Sequence, residues 1–168
     1  MSHPNDELIE RFYGAFAERR GEAMAACYAS DAHFSDPVFP DLNGAEPGQM
    51  WRMLTGAADD LQIELVEHEA GDETGSARWR AHYTFAETGR PVVNDIGATF
   101  RFADGLIADH RDEFDFHKWS RQALGLPGLL LGWTPIIRGE VRKKAGARLA
   151  EFIARDGDAP DGGDSLSG

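Results

Sequence analysis

The chain predicts an α+β fold: a curved antiparallel sheet wrapped around N-terminal helices, with an extra C-terminal helix. Three observations predict it. Apolar residues recur at helical spacing over about the first 60 residues, alternate with polar ones from Leu61 to Phe116, and return to helical spacing after Thr134. Helices gathered ahead of a run of long strands give this layering, because each sheet face and helix stripe must bury its apolar side on something.

Asn5 and Asp6 offer a cap, and Leu8, Ile9, Phe12, Tyr13 and Phe16 then mark a first helix ending near Gly21. Glu22 to Tyr28 reads as a short second helix with Met24, Cys27 and Tyr28 inward. Ala32 to Asp36 reads as a strand closed by Pro37, and Pro40, Asn43, Gly44, Pro47 and Gly48 as a loop. Gln49 to Asp59 reads as a third helix carrying Met50, Trp51 and Leu54. Period two then takes over, through Leu61, Ile63 and Leu65, through Trp79, Ala81, Tyr83 and Phe85, and through Ile96, Ala98, Phe100 and Phe102. Asp104-Gly105 is a hairpin signal before a last strand from about Leu106 to Phe116. Lys118 to Leu124 reads as helix, Gly125 to Gly132 as an apolar loop, and Thr134-Pro135 as the start of a helix striped by Ile137, Val141, Ala145, Leu149, Phe152 and Ile153. The expected organisation is a main domain over 1–124, an apolar loop and amphipathic helix packed on it over 125–155, and a disordered tail over 156–168.

Composition bounds the function. A chain of 168 residues with 42% hydrophobic and 27% charged residues is globular, not largely disordered. Its 17 Lys and Arg against 29 Asp and Glu give a net charge of -12, which argues against nucleic acid and anionic membrane as partners of the chain as a whole. Cys27 is the only cysteine, so an internal disulfide or cysteine-based zinc site is excluded and a reducing cytoplasm is expected. The polar start MSHPNDELIE is not a signal peptide, and no apolar run reaches the ~18 residues of a membrane span.

The informative residues are polar ones on apolar strand faces. His110 and Asp112 share parity with Leu106, Ala108, Phe114 and Phe116; Asp36 shares it with Phe34, and Asn94 with Ile96 and Ala98. All four are aimed at the concave side of one sheet. A carboxylate buried there costs several kcal/mol unless partnered, and two together push at least one pKa upward, toward acid/base work near neutral pH. The competing reading is a structural cluster, with Asp36-Pro37 ending a strand and His110 bonded to Asp112. His110, Asp112, Asp115 and His117 resemble metal spacing, but strand parity splits them between two faces, so no metal is expected. His33 reads as a surface residue. The basic face of the last helix, with Arg138, Arg142, Lys143, Lys144 and Arg148, reads as a solvated face docked on an acidic body, with membrane-surface attachment as the weaker alternative.

The run Tyr28-Ala29-Ser30-Asp31-Ala32-His33-Phe34-Ser35-Asp36-Pro37-Val38 resembles a signature of ketosteroid isomerases, and Gly105-Leu106-Ile107-Ala108-Asp109-His110-Arg111-Asp112 resembles one shared by SnoaL-like polyketide cyclases and limonene epoxide hydrolase. Together they resemble the nuclear transport factor 2-like superfamily over about Asp6 to Ala123, which implies a cone-shaped α+β domain with a pocket at its mouth. The resemblance puts Asp36 on the isomerase base. It puts the two isomerase oxyanion donors on Phe12 and Ala98, although Tyr13 is adjacent, so steroid isomerisation is not expected. Of the epoxide hydrolase's Asp-Arg-Asp triad only Asp112 matches, the other two positions being Trp79 and Ala81; its water-holding Tyr and Asn fall on Phe34 and Asp36.

Two function classes follow. The first is a SnoaL-like enzyme, an isomerase, cyclase or dehydratase acting on a small apolar carbonyl compound. It would use Asp36 as base, Asp112 as acid or second carboxylate and His110 to orient it, with a pocket of Tyr13, Phe34, Trp51, Trp79, Tyr83, Asn94 and Phe114 and no cofactor. The second is a non-catalytic ligand-binding or dimerisation module on the same fold. A homodimer is expected in either case, through the outer sheet face of Arg78, Arg80, His82 and Thr84.

Overall fold

The structure, a computed structural model, describes residues 2–57, 59–131 and 134–157. Helix α1 (Pro4–Ala17) and the short α2 (Gly21–Ala25) lead into strand β1 (Tyr28–Ser35), the two-residue β2 (Leu42–Asn43) and helix α3 (Glu46–Ala57). Strands β3 (Gln62–Ala70), β4 (Thr74–Phe85), β5 (Arg90–Ala103) and β6 (Leu106–Glu113) follow, then helices α4 (Phe116–Leu124), α5 (Leu126–Leu131) and α6 (Pro135–Gly157). The six strands form one curved, unclosed sheet in the order β2-β1-β6-β5-β4-β3. Its pairings are antiparallel except for β1 and β6, which run parallel and so place the first strand beside the last.

The stripe predicted for α1 is buried, with Leu8, Ile9, Phe12 and Tyr13 each no more than 2% exposed. His3 caps this helix by accepting from the Asn5 N–H. Asn5, expected at the cap, instead donates to the carbonyls of Gly71 and Asp72 and ties the helix start to the β3–β4 turn. Strand β5 alternates buried and exposed residues without interruption from Val92 to Phe102. Asp104 and Gly105 both take positive φ, 54° and 75°, the hairpin turn their sequence signals.

Four local expectations need correction. Strand β1 begins at Tyr28, not Ala32, and the helix before it stops at Ala25, so Tyr28 is a strand residue sharing parity with Ala32 and Phe34. Strand β6 contains an irregularity: Phe102 faces Ile107 but Arg101 faces Asp109, which leaves Ala108 as an extra residue. The parity therefore flips there; Ile107 is fully buried while Leu106 and Ala108 are only half-buried. His110 and Asp112, past the bulge, still point inward. The expected apolar loop from Gly125 forms α5, held against α4 so closely that a Cβ on Gly128 would lie 1.9 Å from the Ser120 carbonyl oxygen. Helix α6 continues through Asp156, whose carboxylate takes two hydrogen bonds of 2.8 Å from Arg52; the rest of the expected tail, 158–168, lies outside the described residues.

Helix α6 lays its stripe on the body. Leu149 is buried and Ala145 and Ile153 pack on the main core, while Ile137 and Val141 meet a second cluster of Val92, Phe116, Trp119 and Ala123. Arg142 Nε–H donates to the Pro37 carbonyl at 2.8 Å, which brings α6 over the turn that follows β1.

Candidate active site

Strand β6 supplies His110 and Asp112, at 0% and 3% exposure, from the concave side of the sheet. Parallel pairing sets Phe34 of β1 directly opposite His110, and antiparallel pairing sets Phe100 of β5 on its other side. Both rings pack on the imidazole, with centroids 4.9 and 4.4 Å away. A buried imidazole in such surroundings must spend both nitrogens on partners. His110 Nε2 lies 2.8 Å from Asp112 Oδ1, and Nδ1 lies 2.7 Å from the Tyr28 hydroxyl, which also accepts from Trp51 Nε1–H at 2.8 Å. With Asp112 ionised, Nε2–H donates to the carboxylate and Nδ1 of a neutral ring accepts from Tyr28. Trp51, Tyr28, His110 and Asp112 thus form one chain of hydrogen bonds running from α3 across the sheet.

Asp36 lies just past the end of β1. Its Oδ1 accepts from the Val38 and Phe39 N–H groups at 2.7 and 2.5 Å, an Asx turn that holds the carboxyl in place. Burial pushes this carboxyl up from its ordinary value of 3.8 to about 7; the Phe39 N–H opposes the rise, the charge of Asp112 adds to it, and the second N–H and Arg142 oppose it.

The remaining predicted residues divide by what their polar atoms do. The Tyr83 hydroxyl accepts from Trp119 Nε1–H at 2.7 Å; burial raises its pKa, this bond opposes the rise, and the charge of Asp36 adds to it. The Tyr13 hydroxyl and Trp79 Nε1 are buried with no hydrogen-bond partner among the described residues. Their rings are neighbours, with centroids 5.8 Å apart. Burial first, then the charge of Asp112, raises the Tyr13 pKa well above its ordinary value, so this group stays a protonated donor. Asn94 is buried on β5 opposite Ala81, and Phe114 is half-buried between the two apolar clusters.

Tyr28, Trp119, Phe100 and Arg142 were missed as site residues. Tyr28 is buried at the start of β1, but Ser30 between it and Ala32 is exposed and the register shifts there, so period two does not reach back to it. Trp119 and Arg142 lie on helices whose docking no local pattern specifies. The metal-like string does not assemble: Asp115 caps α4 by accepting from the Lys118 N–H, and His117 lies within that helix. Elsewhere Asp6, Glu10 and His68 bring three ligand atoms within 4.8 Å of one another, but His68 already bonds Asp6 at 2.6 Å and lies 3.4 Å from Glu10.

A curved sheet over N-terminal helices, with a further helix at the C-terminal end, is the nuclear transport factor 2-like fold. Residues 9–110 match the profile of the SnoaL-like domain, and the chain belongs to that family. A search of curated proteins finds no match. Among solved structures the chain is similar to a candidate polyketide cyclase from Xanthomonas campestris, with TM-score 0.62 and 22% identity over 71% of this chain and 96% of that one. It is similar to a protein of ketosteroid isomerase-like fold from Catenulispora acidiphila in complex with trimethylamine, with TM-score 0.63 and 17% identity over 77% and 98%. An epoxide hydrolase from M. tuberculosis, like limonene epoxide hydrolase, matches with TM-score 0.61 and 17% identity over 76% and 96%. At these identities the likeness is one of fold.

Proposed function

We propose that the chain binds a small, largely apolar carbonyl compound and moves a proton on it, as an isomerase, cyclase or dehydratase. The observation that carries this reading is Asp36, a carboxyl group held by the Val38 and Phe39 N–H groups with its pKa raised to about 7, in a fold whose core also holds two buried donors without partners among the described residues. A general base works best when its pKa lies near the working pH, and a buried donor left unpaired costs about 1–3 kcal/mol until something accepts from it. Asp36 takes a proton from the carbon beside the carbonyl, and the developing enolate oxygen accepts from Tyr13 O–H or Trp79 Nε1–H. Asp36 then returns the proton at a second carbon, or the enolate carbon attacks a second carbonyl and closes a ring. Burial keeps Asp36 protonatable near neutrality, and the charge of Asp112, tied through His110 to Tyr28, adds to that effect. The fold shared with a candidate polyketide cyclase supports this class of chemistry.

Incubation with a panel of apolar ketones and enones in D2O, read by mass spectrometry, tests the reading. Exchange at the carbon beside the carbonyl is expected, with a loss of roughly 100-fold or more in Asp36→Asn. Ligand binding by thermal shift without exchange would make the pocket a non-catalytic binding module; neither binding nor exchange would remove the reading. We also propose a homodimer through the outer sheet face near His82, and light scattering showing only monomer at micromolar concentration would reject it.

A further inference from the structure

The part of the chain after Asp115 has the opposite charge to the rest. Residues 116–149 hold seven of the 17 Lys and Arg but, in Glu140, only one of the 29 Asp and Glu. The structure gathers these residues into one cap. Helix α5 sits directly on Ser120 and Arg121 of α4, and the Arg138 guanidinium of α6 lies 5.0 Å over the ring of Phe116. Ile137 and Val141 pack on the same small cluster as Trp119.

The cap also carries most of the molecule's exposed large apolar surface. Five large hydrophobic residues are exposed among the described ones, and three of them lie here: Leu126 at 65%, Leu130 at 59% and Ile136 at 74%. Ile136 and Lys143, seven residues apart on α6, share its outward face, and Lys144 is exposed beside Lys143. Lys118, Arg121, Lys143 and Lys144 form no ion pair among the described residues. A cap with three exposed apolar side chains and four cations without ion pairs among the described residues, on a chain whose other parts carry nearly all the acidic groups, has a preferred orientation in the field of a negatively charged surface. The cap is drawn in, and the acidic body is held away.

We infer that the α4–α5–α6 cap is a docking surface for an anionic lipid bilayer, with Leu126, Leu130 and Ile136 entering the headgroup boundary and Lys118, Arg121, Lys143 and Lys144 meeting the headgroups. No helix is long and apolar enough to cross a membrane, so attachment is interfacial. The inference stands apart from the proposed chemistry, and it differs from the favoured expectation of a solvated basic helix by taking up the weaker one of membrane attachment. The difference lies in α5, which the sequence pattern read as a loop and which presents Leu126 and Leu130 beside the cations.

Flotation of the full chain with vesicles of phosphatidylglycerol and phosphatidylcholine, against phosphatidylcholine alone, tests it. Binding is expected to the anionic vesicles at low salt, with loss at high salt. K143A/K144A, on an exposed face, is expected to weaken binding roughly 30-fold, and L126S/L130S/I136S to remove it while circular dichroism and thermal unfolding stay those of the native chain. No flotation with anionic vesicles, or flotation indifferent to K143A/K144A, would overturn the inference. Equally decisive against it would be a dimer in vesicle-free sedimentation that L126S/L130S/I136S converts to monomer, since the patch would then be occupied by a second copy.

Discussion

The buried polar groups of the core fall into two sets built on opposite terms. In one set Trp51, Tyr28, His110 and Asp112 are joined end to end by bonds of 2.7 to 2.8 Å, so the indole, phenol and imidazole of this chain are satisfied within the protein. In the other set Tyr13 and Trp79 are equally buried but their donors have no hydrogen-bond partner among the described residues, and the Asp36 carboxyl has its pKa raised to about 7. A satisfied buried network fixes structure, whereas an unsatisfied one stores a cost that a ligand can relieve. The first set is therefore the frame and the second the working set.

The frame should fail most severely when its centre is removed. His110→Ala deletes a ring in contact with Phe34 and Phe100 and strands both Tyr28 and Asp112, at an expected cost of about 3–5 kcal/mol in urea unfolding. A cost below about 1 kcal/mol would erase the distinction between the two sets.

Asp36→Asn should act on the slope of stability against pH. The folded carboxyl titrates near 7 and the unfolded one near 3.8, so between those values the folded state holds a proton the unfolded state has lost. Stability contributed by the protonated form is therefore lost as pH rises from about 4 to about 7, by something of the order of 2–4 kcal/mol, and is level above that. Asn keeps the oxygen that accepts from Val38 and Phe39 but has no proton to lose. The variant should flatten this slope and leave stability at pH 8 equal or higher, while proton exchange falls; an unchanged slope in urea unfolding from pH 4 to pH 8 would show that Asp36 is not the group that titrates.

Tyr28→Phe comes next, because it leaves Trp51 Nε1 and His110 Nδ1 without their shared partner, an expected loss of about 1–3 kcal/mol by the same unfolding measurement. Arg142→Gln is smaller still. Its guanidinium opposes the rise of the Asp36 pKa only weakly, so the midpoint of Asp36, followed by carboxyl NMR, should move upward by a fraction of a unit. A downward movement would mean that Arg142 does not face this carboxyl.

How far the sequence reaches differs between the two sets. The strands and their inward residues were legible because a half-buried strand writes its face in period two, and Asp112, Asn94 and Trp79 follow from that period alone. His110 and Asp112 were placed inward by counting from Leu106, and the bulge at Ala108 shows that the count was right for those two residues and wrong for Leu106 itself. Tyr28 is hidden by the helix before it, whose pattern runs on through position 28 although the helix stops at Ala25 and Tyr28 opens β1. The contacts of Trp119 and Arg142 depend on how α4 and α6 dock, and long-range docking has no local period. Which donors end up unpartnered is a property of the finished packing.

Tyr13→Phe is the smallest change in stability and the sharpest test of the comparison. The hydroxyl it removes has no partner among the described residues, so nothing is stranded by its loss and the aromatic contacts of the ring with Phe12 and Trp79 persist. Removing a buried polar atom that bonds nothing relieves its desolvation cost, so stability should stay level or rise by up to about 1 kcal/mol. That is the opposite sign from Tyr28→Phe, although both replace one buried phenol by one phenyl. Proton exchange on a bound ketone should fall, because the enolate oxygen loses a donor. Urea unfolding of the two variants side by side decides the matter. If Tyr13→Phe is as destabilising as Tyr28→Phe, the Tyr13 hydroxyl has a partner inside the protein, and it belongs to the frame instead of the working set.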